Sequence, residues 1–486
     1  MDLRNIQLQQ KKQHSHGLSL TQQLFLALRE KILSQQLLVG SRLPASRILA
    51  KDLGVSRNTV NSVYEQLRAE GYVNSREGSG FYISEQLPQF DRSPHIARGK
   101  PVQDWPPLSD YGHQLLKRPG GHGSKPKDIA NLPFSVGLPD FQAFPIKIWQ
   151  QLIRRHSDRP ILMGYHSHQG YAPLRNALAD YLNISRGLKC QPEQIVITQG
   201  AQQGLALCAQ LLMNAGDTAL VEEPGYSGAR KALMSNGASL QAVTHGDNGI
   251  NVGALPEGEY RLLCCTPTHQ YPMGGILTAS ERLQLLQWAE RNRCWIVEDD
   301  YDSEFHYYSQ PIAAMAGMAE RTPVIYMGSF SKTLLPGLRL GYLVVPEHLV
   351  GVFVDAKAFS GGETPLLTQA VVADFIEEGH FYRHLRRSRK LYQQKWEHMQ
   401  RLCEQHLAGI MTPVAQSAGM HLALVFNHQQ IDDRKVCQEF AMKGFGGSPL
   451  SSYYHSSRPQ KGLVLGFANT SEDERVKGIK TLSQLL

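Results

Sequence analysis

Lys332 lies in Gly328-Ser-Phe-Ser-Lys-Thr-Leu-Leu-Pro-Gly-Leu-Arg-Leu-Gly-Tyr342, flanked by Ser331 and Thr333, with Arg339 beyond a Pro336-Gly337 turn. An amine that is to attack a carbonyl carbon must be desolvated so that it can lose its proton. A phosphate on the same ligand needs a guanidinium fork and hydroxyls to hold it. Ser329, Ser331, Lys332 and Arg339 offer all of these groups within one short segment. A lone lysine beside a Gly-Pro turn would read as an ordinary surface residue; the combination is what singles this one out.

The runs upstream of this segment predict how it is positioned. Gln194–Thr198, Thr218–Glu222, Arg261–Thr266, Trp295–Asp299 and Val324–Gly328 are apolar strand-like runs separated by helical stretches. Such runs predict buried, mostly parallel strands and an α/β body whose ligands sit at the strand ends. Polar punctuation falls at those ends. Thr198-Gln-Gly-Ala-Gln-Gln-Gly-Leu205 is a Gly-rich turn opening a helix, whose N–H groups favour an anion. Glu222-Glu-Pro-Gly-Tyr226 brings an aromatic ring, and Thr266–Gly275 a turn with two prolines. In Glu298-Asp-Asp-Tyr-Asp-Ser-Glu-Phe305, a carboxylate after a buried strand could keep a pyridine nitrogen protonated. Each turn alone is also explained by capping or packing.

The net charge of +7 is unevenly spread: residues 1–100 carry 14 Lys and Arg against 8 Asp and Glu. A basic head on a nearly neutral body points to a polyanion partner for the head. Within residues 18–84, Leu20–Leu33 predicts a helix with an apolar stripe of Leu24, Leu26, Ala27, Ile32 and Leu33. Ala45–Leu53 predicts a second helix stopped by Gly54, and Ser56 caps a third over Arg57–Glu70. Helix, glycine turn and capped helix form the helix-turn-helix pattern, which lays its second helix in the DNA major groove. Tyr72–Ser75 and Phe81–Ser84, around a glycine-rich tip, predict a hairpin wing. A helical hairpin used only for packing is the alternative.

Residues 85–132 hold seven prolines and Gly120-Gly121, and read as an extended tether with short helical turns possible around Tyr111 to Leu116. Residues 133–486 form the body. The polar N-terminus has no apolar leader, no apolar run is long enough for a membrane span, and the seven cysteines show no metal or CxxC spacing. A cytoplasmic protein with no metal site is expected.

The Lys332 segment resembles the cofactor-lysine motif of fold-type I pyridoxal 5'-phosphate (PLP) enzymes, the aspartate aminotransferase superfamily. The likeness covers about residues 133–486. It implies that Lys332 is the catalytic residue, forming the Schiff base with PLP. It also implies that Ser329, Arg339, Ala201 and Gln202 hold the phosphate, that Tyr226 stacks on the ring, that Asp299 partners the pyridinium and that Tyr301 meets the phenolate oxygen. Tyr165 matches a tyrosine that reaches the phosphate across a dimer interface, so a homodimer is implied.

The head is similar to the winged helix of GntR-type repressors through Leu43-Pro-Ala-Ser-Arg47, Leu53–Val60, Leu67–Val73 and Gly78-Ser-Gly80. That likeness assigns DNA contact to Arg47, Arg57, Thr59 and Gly78. Ala45 and Ser46 depart from the Ser and Glu common there, a change expected to alter operator preference more than binding itself. A GntR-like head on an aminotransferase-like body is the arrangement of MocR/GabR-type transcriptional regulators. Asp299–Phe305, His269-Gln-Tyr-Pro and Glu378–Arg386 fit that group. The chain is therefore expected to be multidomain: a small α/β winged helix-turn-helix head and a large α/β fold-type I PLP aminotransferase-like body.

Aliphatic residues in Gly462–Ala468 replace the arginine with which many relatives grip an α-carboxylate, and Arg458 lies in a different register. Tyr271 stands where aminotransferases carry Asn, and Met273 where Thr is usual. The reading is a regulator that binds a double-stranded DNA operator and holds PLP as an internal aldimine on Lys332. It would answer to an amine or amino-acid effector, or to PLP itself, without physiological turnover. The alternatives are a PLP-dependent aminotransferase with a secondary DNA-binding head, and a regulator with a cofactor-free body.

Overall fold

A computed structural model describes residues 19–76, 79–85, 131–308, 313–318, 323–416, 418–455 and 458–486, together with residues 3, 6, 8, 109, 112 and 113. The chain divides into two compact units, Met1–Pro107 and Leu108–Leu486.

In the first unit, α1 (Leu20–Leu33) starts at a capping box between Ser19 and Gln22. Its buried face is Leu24, Phe25, Leu28 and Ile32, whereas Leu26 is exposed. The sequence stripe was thus misplaced on one side, because Phe25 and Leu28 complete the i, i+3, i+4 face with Leu24 and Ile32. Helix α2 (Ser46–Leu53) ends at Gly54, whose φ of +67° is the left-handed conformation that glycine adopts without strain. Helix α3 (Arg57–Ala69) begins with the Ser56 hydroxyl accepting from the Thr59 N–H at 3.1 Å. Val60, Val63, Tyr64 and Leu67 bury its inner face, and the Tyr64 hydroxyl donates to the Pro44 carbonyl at 2.9 Å. Strands β1 (Val73–Arg76) and β2 (Gly80–Ile83) pair antiparallel as the wing. The tip residues Glu77 and Gly78 lie outside the described residues, as does most of the tether; the turn expected around Tyr111 is described only at Gly112 and His113, which are helical.

The second unit is built on an eight-stranded sheet of β3 (Ile195–Thr198), β4 (Thr218–Glu223), β5 (Ser239–Gly246), β6 (Gly249–Ile250), β7 (Leu262–Cys265), β8 (Trp295–Asp300), β9 (Val324–Ser329) and β10 (Gly341–Val344). The spatial order is β3-β10-β9-β8-β7-β4-β5-β6. Strands β5, β4, β7, β8 and β9 run parallel, and β10 is antiparallel to both β9 and β3. The antiparallel insertion has a consequence for the site. Gly341, the first residue of β10, sits opposite both Thr198 and Ser329, the last residues of β3 and β9. The Arg339 turn therefore reaches the same edge as the carboxyl ends of the parallel strands.

Successive strand residues face opposite sides. Val221, Cys264, Val297, Ile325 and Leu343 pack with Leu205, Leu233 and Phe353. Leu220, Leu263 and Ile296 pack with Leu285 and Trp288 on the other side. Burial on both faces explains the continuous apolar runs in the sequence. A smaller antiparallel sheet, in the order β11-β12-β14-β13, contains β11 (Met411–Pro413), β12 (His421–Phe426), β13 (Ser448–Pro449) and β14 (Gly462–Gly466).

Candidate functional site

Strand alternation decides which acidic residue at the end of β8 is available to a ligand. Glu298 is buried and accepts from the Met315 and Ala316 N–H groups, each at 2.8 Å. Asp300 forms a buried ion pair with Arg186 at 2.7 Å and accepts from the Tyr326 hydroxyl. Asp299 projects from the opposite face and lines a small cavity with Glu222, Tyr226, Cys264 and Thr266. Burial raises its pKa to about 7, Asp300 and Glu222 add to the rise, and Lys332 opposes it. Burial also raises Glu222 to about 7, although the Thr266 hydroxyl donates to it at 2.6 Å.

Lys332 sits on a single helical turn, Phe330–Thr333, directly after β9. Its Nζ donates to the Gly137 carbonyl at 2.9 Å. Burial lowers the amine pKa, against the pull of Asp302 and Asp299. Gly137 has a φ of +83°, and a Cβ on it would stand 2.1 Å from Lys332 Nζ. The amine thus occupies a space that only glycine leaves free.

An anion-ready corner lies at the same strand edge. Gly200, with a φ of +82°, precedes the helix Ala201–Leu212, which leaves the first-turn N–H groups at Ala201 and Gln202 without helical partners. Arg339 is itself left-handed, with a φ of +49°, and its Nη2 donates to the Gln199 carbonyl at 3.2 Å. A Cβ on Gly200 would lie 3.5 Å from Arg339 Nη2. Ser329 completes the corner through the β9–β10 register. Gln202 Nε2 donates to the Tyr226 hydroxyl at 3.2 Å.

Tyr301 lies against His269, whose Nδ1 is 2.8 Å from both the phenol oxygen and Asp302 Oδ1. Tyr271 packs edge-on against Tyr226, Tyr301, His421 and Tyr453, and its hydroxyl donates to Tyr453 at 3.1 Å. Met273 is buried beside Ala423 and Leu450. Tyr165 stands apart at 95% exposure on the chain surface. Strand β14 is fully buried and Arg458 is exposed.

In the head, Arg47, Arg57 and Asn58 are exposed. Thr59 is only partly so: its hydroxyl lies 2.8 Å from the Ser56 hydroxyl at the helix cap. Arg57 Nε donates to Ser46 Oγ at 3.4 Å, so the unusual serine touches the arginine expected to read DNA. The structure brings Lys332, Asp299, Tyr301, Tyr226, Ser329, Ala201, Gln202 and Arg339 to one strand edge, whereas Tyr165 remains outside that group. Sequence reasoning gave no role to Gly137, Glu222 or the His269–Asp302 pair. Gly137 lies in an unremarkable Ser-Val-Gly-Leu-Pro stretch, and a contact spanning 195 residues leaves no local signal.

Residues 131–445 match the aminotransferase class I and II family, and residues 20–83 match the bacterial regulatory proteins of the gntR family. The chain is 39% identical to the probable rhizopine catabolism regulatory protein MocR of Rhizobium meliloti, over 95% of this chain and 92% of that one. It is 31% identical to the pyridoxine biosynthesis regulator PdxR of Corynebacterium glutamicum, covering 94% and 93% of the two chains.

The chain belongs to the MocR/GabR-type transcriptional regulators.

The fold of the regulator's body also matches a solved aminotransferase. LysN from Thermus thermophilus, complexed with N-(5'-phosphopyridoxyl)-L-leucine, aligns with a TM-score of 0.69 and 26% identity, over 78% of the regulator and 95% of that chain. The regulator thus joins a small GntR winged helix-turn-helix to a large α/β body of fold-type I, a fold whose enzymes are PLP-dependent. GntR-type heads bind DNA. None of the seven cysteines is in a disulfide, and among the described residues no helix is long and apolar enough to cross a membrane.

Proposed function

We propose that the regulator holds PLP on Lys332 and uses its occupancy, or the arrival of an effector amine, to control how the head engages operator DNA. In this reading residues 18–84 are the DNA-binding head, 85–132 the tether and 133–486 the effector body of a cytoplasmic homodimer. The residues fit the cofactor. Lys332 supplies a desolvated amine for an aldehyde, and Arg339, Ser329 and the Ala201–Gln202 N–H groups supply a phosphate seat. Asp299 has a pKa near 7 and faces the cavity, so a protonated ring nitrogen beside it would restore its ionised form. In this reading Tyr226 lies along the ring, Tyr301 meets its phenolate oxygen, and the exposed Tyr165 reaches the phosphate of the partner subunit's site.

The observation that carries the reading is the Lys332 amine, drawn down by burial and facing Asp299 at the strand edge. Bound PLP supplies a carbonyl carbon reactive toward primary amines. The chain's own part is to seat the phosphate, hold the ring nitrogen's proton through Asp299 and, by burial, ease the loss of the Lys332 amine's proton. An effector amine held at the same site would compete with Lys332 for that carbon, and any preference of the ligand for one conformation would shift the population of head arrangements.

The buried aliphatic β14 and the exposed Arg458 leave no carboxylate clamp in the position where aminotransferases carry one, which favours regulation over turnover. The test is operator binding by the full chain, by a chain lacking residues 1–100, and by Lys332→Ala, with and without PLP and a panel of amines. The truncated chain should keep the PLP band and lose the operator, and amines should change the band once per site. Specific DNA binding by the truncated chain, or sustained turnover with a keto acid, would overturn the reading.

A further inference from the structure

The Tyr301 phenol shares one histidine nitrogen with a carboxylate. His269 Nδ1 lies 2.8 Å from Tyr301 Oη and 2.8 Å from Asp302 Oδ1. His269 and Asp302 are both about 1% exposed at their side chains. Only one tautomer lets this nitrogen serve both oxygens. If Nδ1 carries no proton, its lone pair faces the carboxylate lone pairs at contact distance, and the pair repels. If Nδ1 carries the proton, it donates to Asp302 and to the phenol oxygen together. The second arrangement is the favourable one, and it has a directional consequence. A phenol oxygen that accepts from His269 has its own proton free to point elsewhere.

The opposite ring nitrogen supports the same tautomer. His269 Nε2 is buried without a hydrogen-bond partner. A proton there would be an unsatisfied buried donor, whereas a bare acceptor is tolerated at lower cost. The surroundings fix the ring in place. His421 lies 5.5 Å from it between ring centroids, and Tyr301 stacks on it at 5.7 Å with an interplanar angle of 25°. Gly419, with a φ of +80°, comes so close that a Cβ would stand 2.1 Å from His269 Cε1 and 2.8 Å from Asp302 Oδ2. The Tyr307 hydroxyl donates to the Gly419 carbonyl and holds that segment against the pair. The charged and titratable groups facing the pair are Tyr301, Tyr271, Tyr307, Asp299, His306, His421 and Lys332.

We propose that His269 and Asp302 are positioning residues for Tyr301. Asp302 holds the proton on His269 Nδ1, and His269 occupies the phenol oxygen's acceptor side, so that Tyr301 presents its proton toward the cofactor's phenolate oxygen. The inference rests on the PLP reading above for the cofactor end, but its histidine end stands in the cofactor-free protein. Gly419 leads into β12, so the pair also ties the small C-terminal sheet to the face on which the cofactor sits.

The test has two arms on the full chain. In the first, PLP is removed by dialysis against a competing amine, and nitrogen-15 spectra are recorded of the histidine-labelled protein, with His269 assigned by its loss in His269→Gln. Wild type should show His269 protonated at Nδ1 and bare at Nε2, and Asp302→Asn should lose that preference. An unprotonated Nδ1 in wild type would overturn the proposal whatever the cofactor does. In the second arm, PLP affinity is measured for wild type, Tyr301→Phe, Asp302→Asn and the double variant. Each single change should weaken PLP by about tenfold, and the double by little more than either. Additive losses would show that Asp302 acts independently of Tyr301 and would overturn the proposal. Wild-type protein that binds no PLP would fail the cofactor reading instead, leaving the nitrogen-15 result to decide the pair.

Discussion

Arg47 and Arg57 stand in solvent on two short helices of the head, whereas Lys332 and Asp299 lie in the body where burial has moved both pKa values. The head offers a polyanion solvent-exposed charges, whose contribution is long-ranged and weakened by salt. The body meets its ligand with groups whose protonation is set by their surroundings before the ligand arrives. Mutations in the two regions should therefore be selective. Changes in the head should leave the cofactor alone, and changes in the body should alter the cofactor before they alter DNA contact.

The sharpest break of that division is Lys332→Ala, which should abolish the visible PLP band while the circular dichroism of the protein stays unchanged. Next is Gly137→Ala. Its Cβ would fall on Lys332 Nζ, and its φ of +83° is strained for alanine, so PLP affinity should fall at least about tenfold, measured by fluorescence titration. Arg47→Ala and Arg57→Ala should each weaken operator binding by roughly tenfold with the PLP band intact. For whichever contacts a phosphate, the slope of log affinity against log salt should shrink by about one.

A pH experiment sharpens the body's side. An exposed aspartate ionises near 3.8, and Asp299 in the folded, cofactor-free body near 7. The folded state therefore holds that proton more tightly, and the stability it contributes is complete below the unfolded value and lost as pH rises through 7. Asparagine does not titrate. The melting temperature of cofactor-free Asp299→Asn should gain on wild type by roughly 2 °C between about pH 5 and about pH 8 in differential scanning fluorimetry. With PLP added, wild type should recover the advantage. The smallest expected effect is Ser46→Glu, which places a carboxylate beside Arg57 Nε and should change relative affinity among operator variants by a few-fold.

The elements that the sequence disclosed are those with local causes. Ser56 before Arg57 and Gly54 after Leu53 announce a helix start and a helix stop because capping is a matter of neighbouring residues. Strands β4, β7, β8 and β9 showed as apolar runs because both of their faces are buried. Strand β5 was missed because it is half-exposed, and β10 because four residues after a turn carry little pattern. The choice of Asp299 among three consecutive acids came from the family likeness; the structure adds its reason, since Glu298 and Asp300 are taken up on the other face by backbone N–H groups and Arg186. Gly137 beneath Lys332 and Gly419 beneath His269 are contacts between distant segments, and their glycines look like any turn glycine in the sequence.

The most direct test of the central claim is borohydride reduction of the purified full chain, followed by digestion and mass analysis of its lysine peptides. One phosphopyridoxyl group per chain is expected, on Lys332, and none on the Lys332→Ala variant. A chain that takes up no such group after incubation with PLP, or carries it on another lysine, would contradict the account.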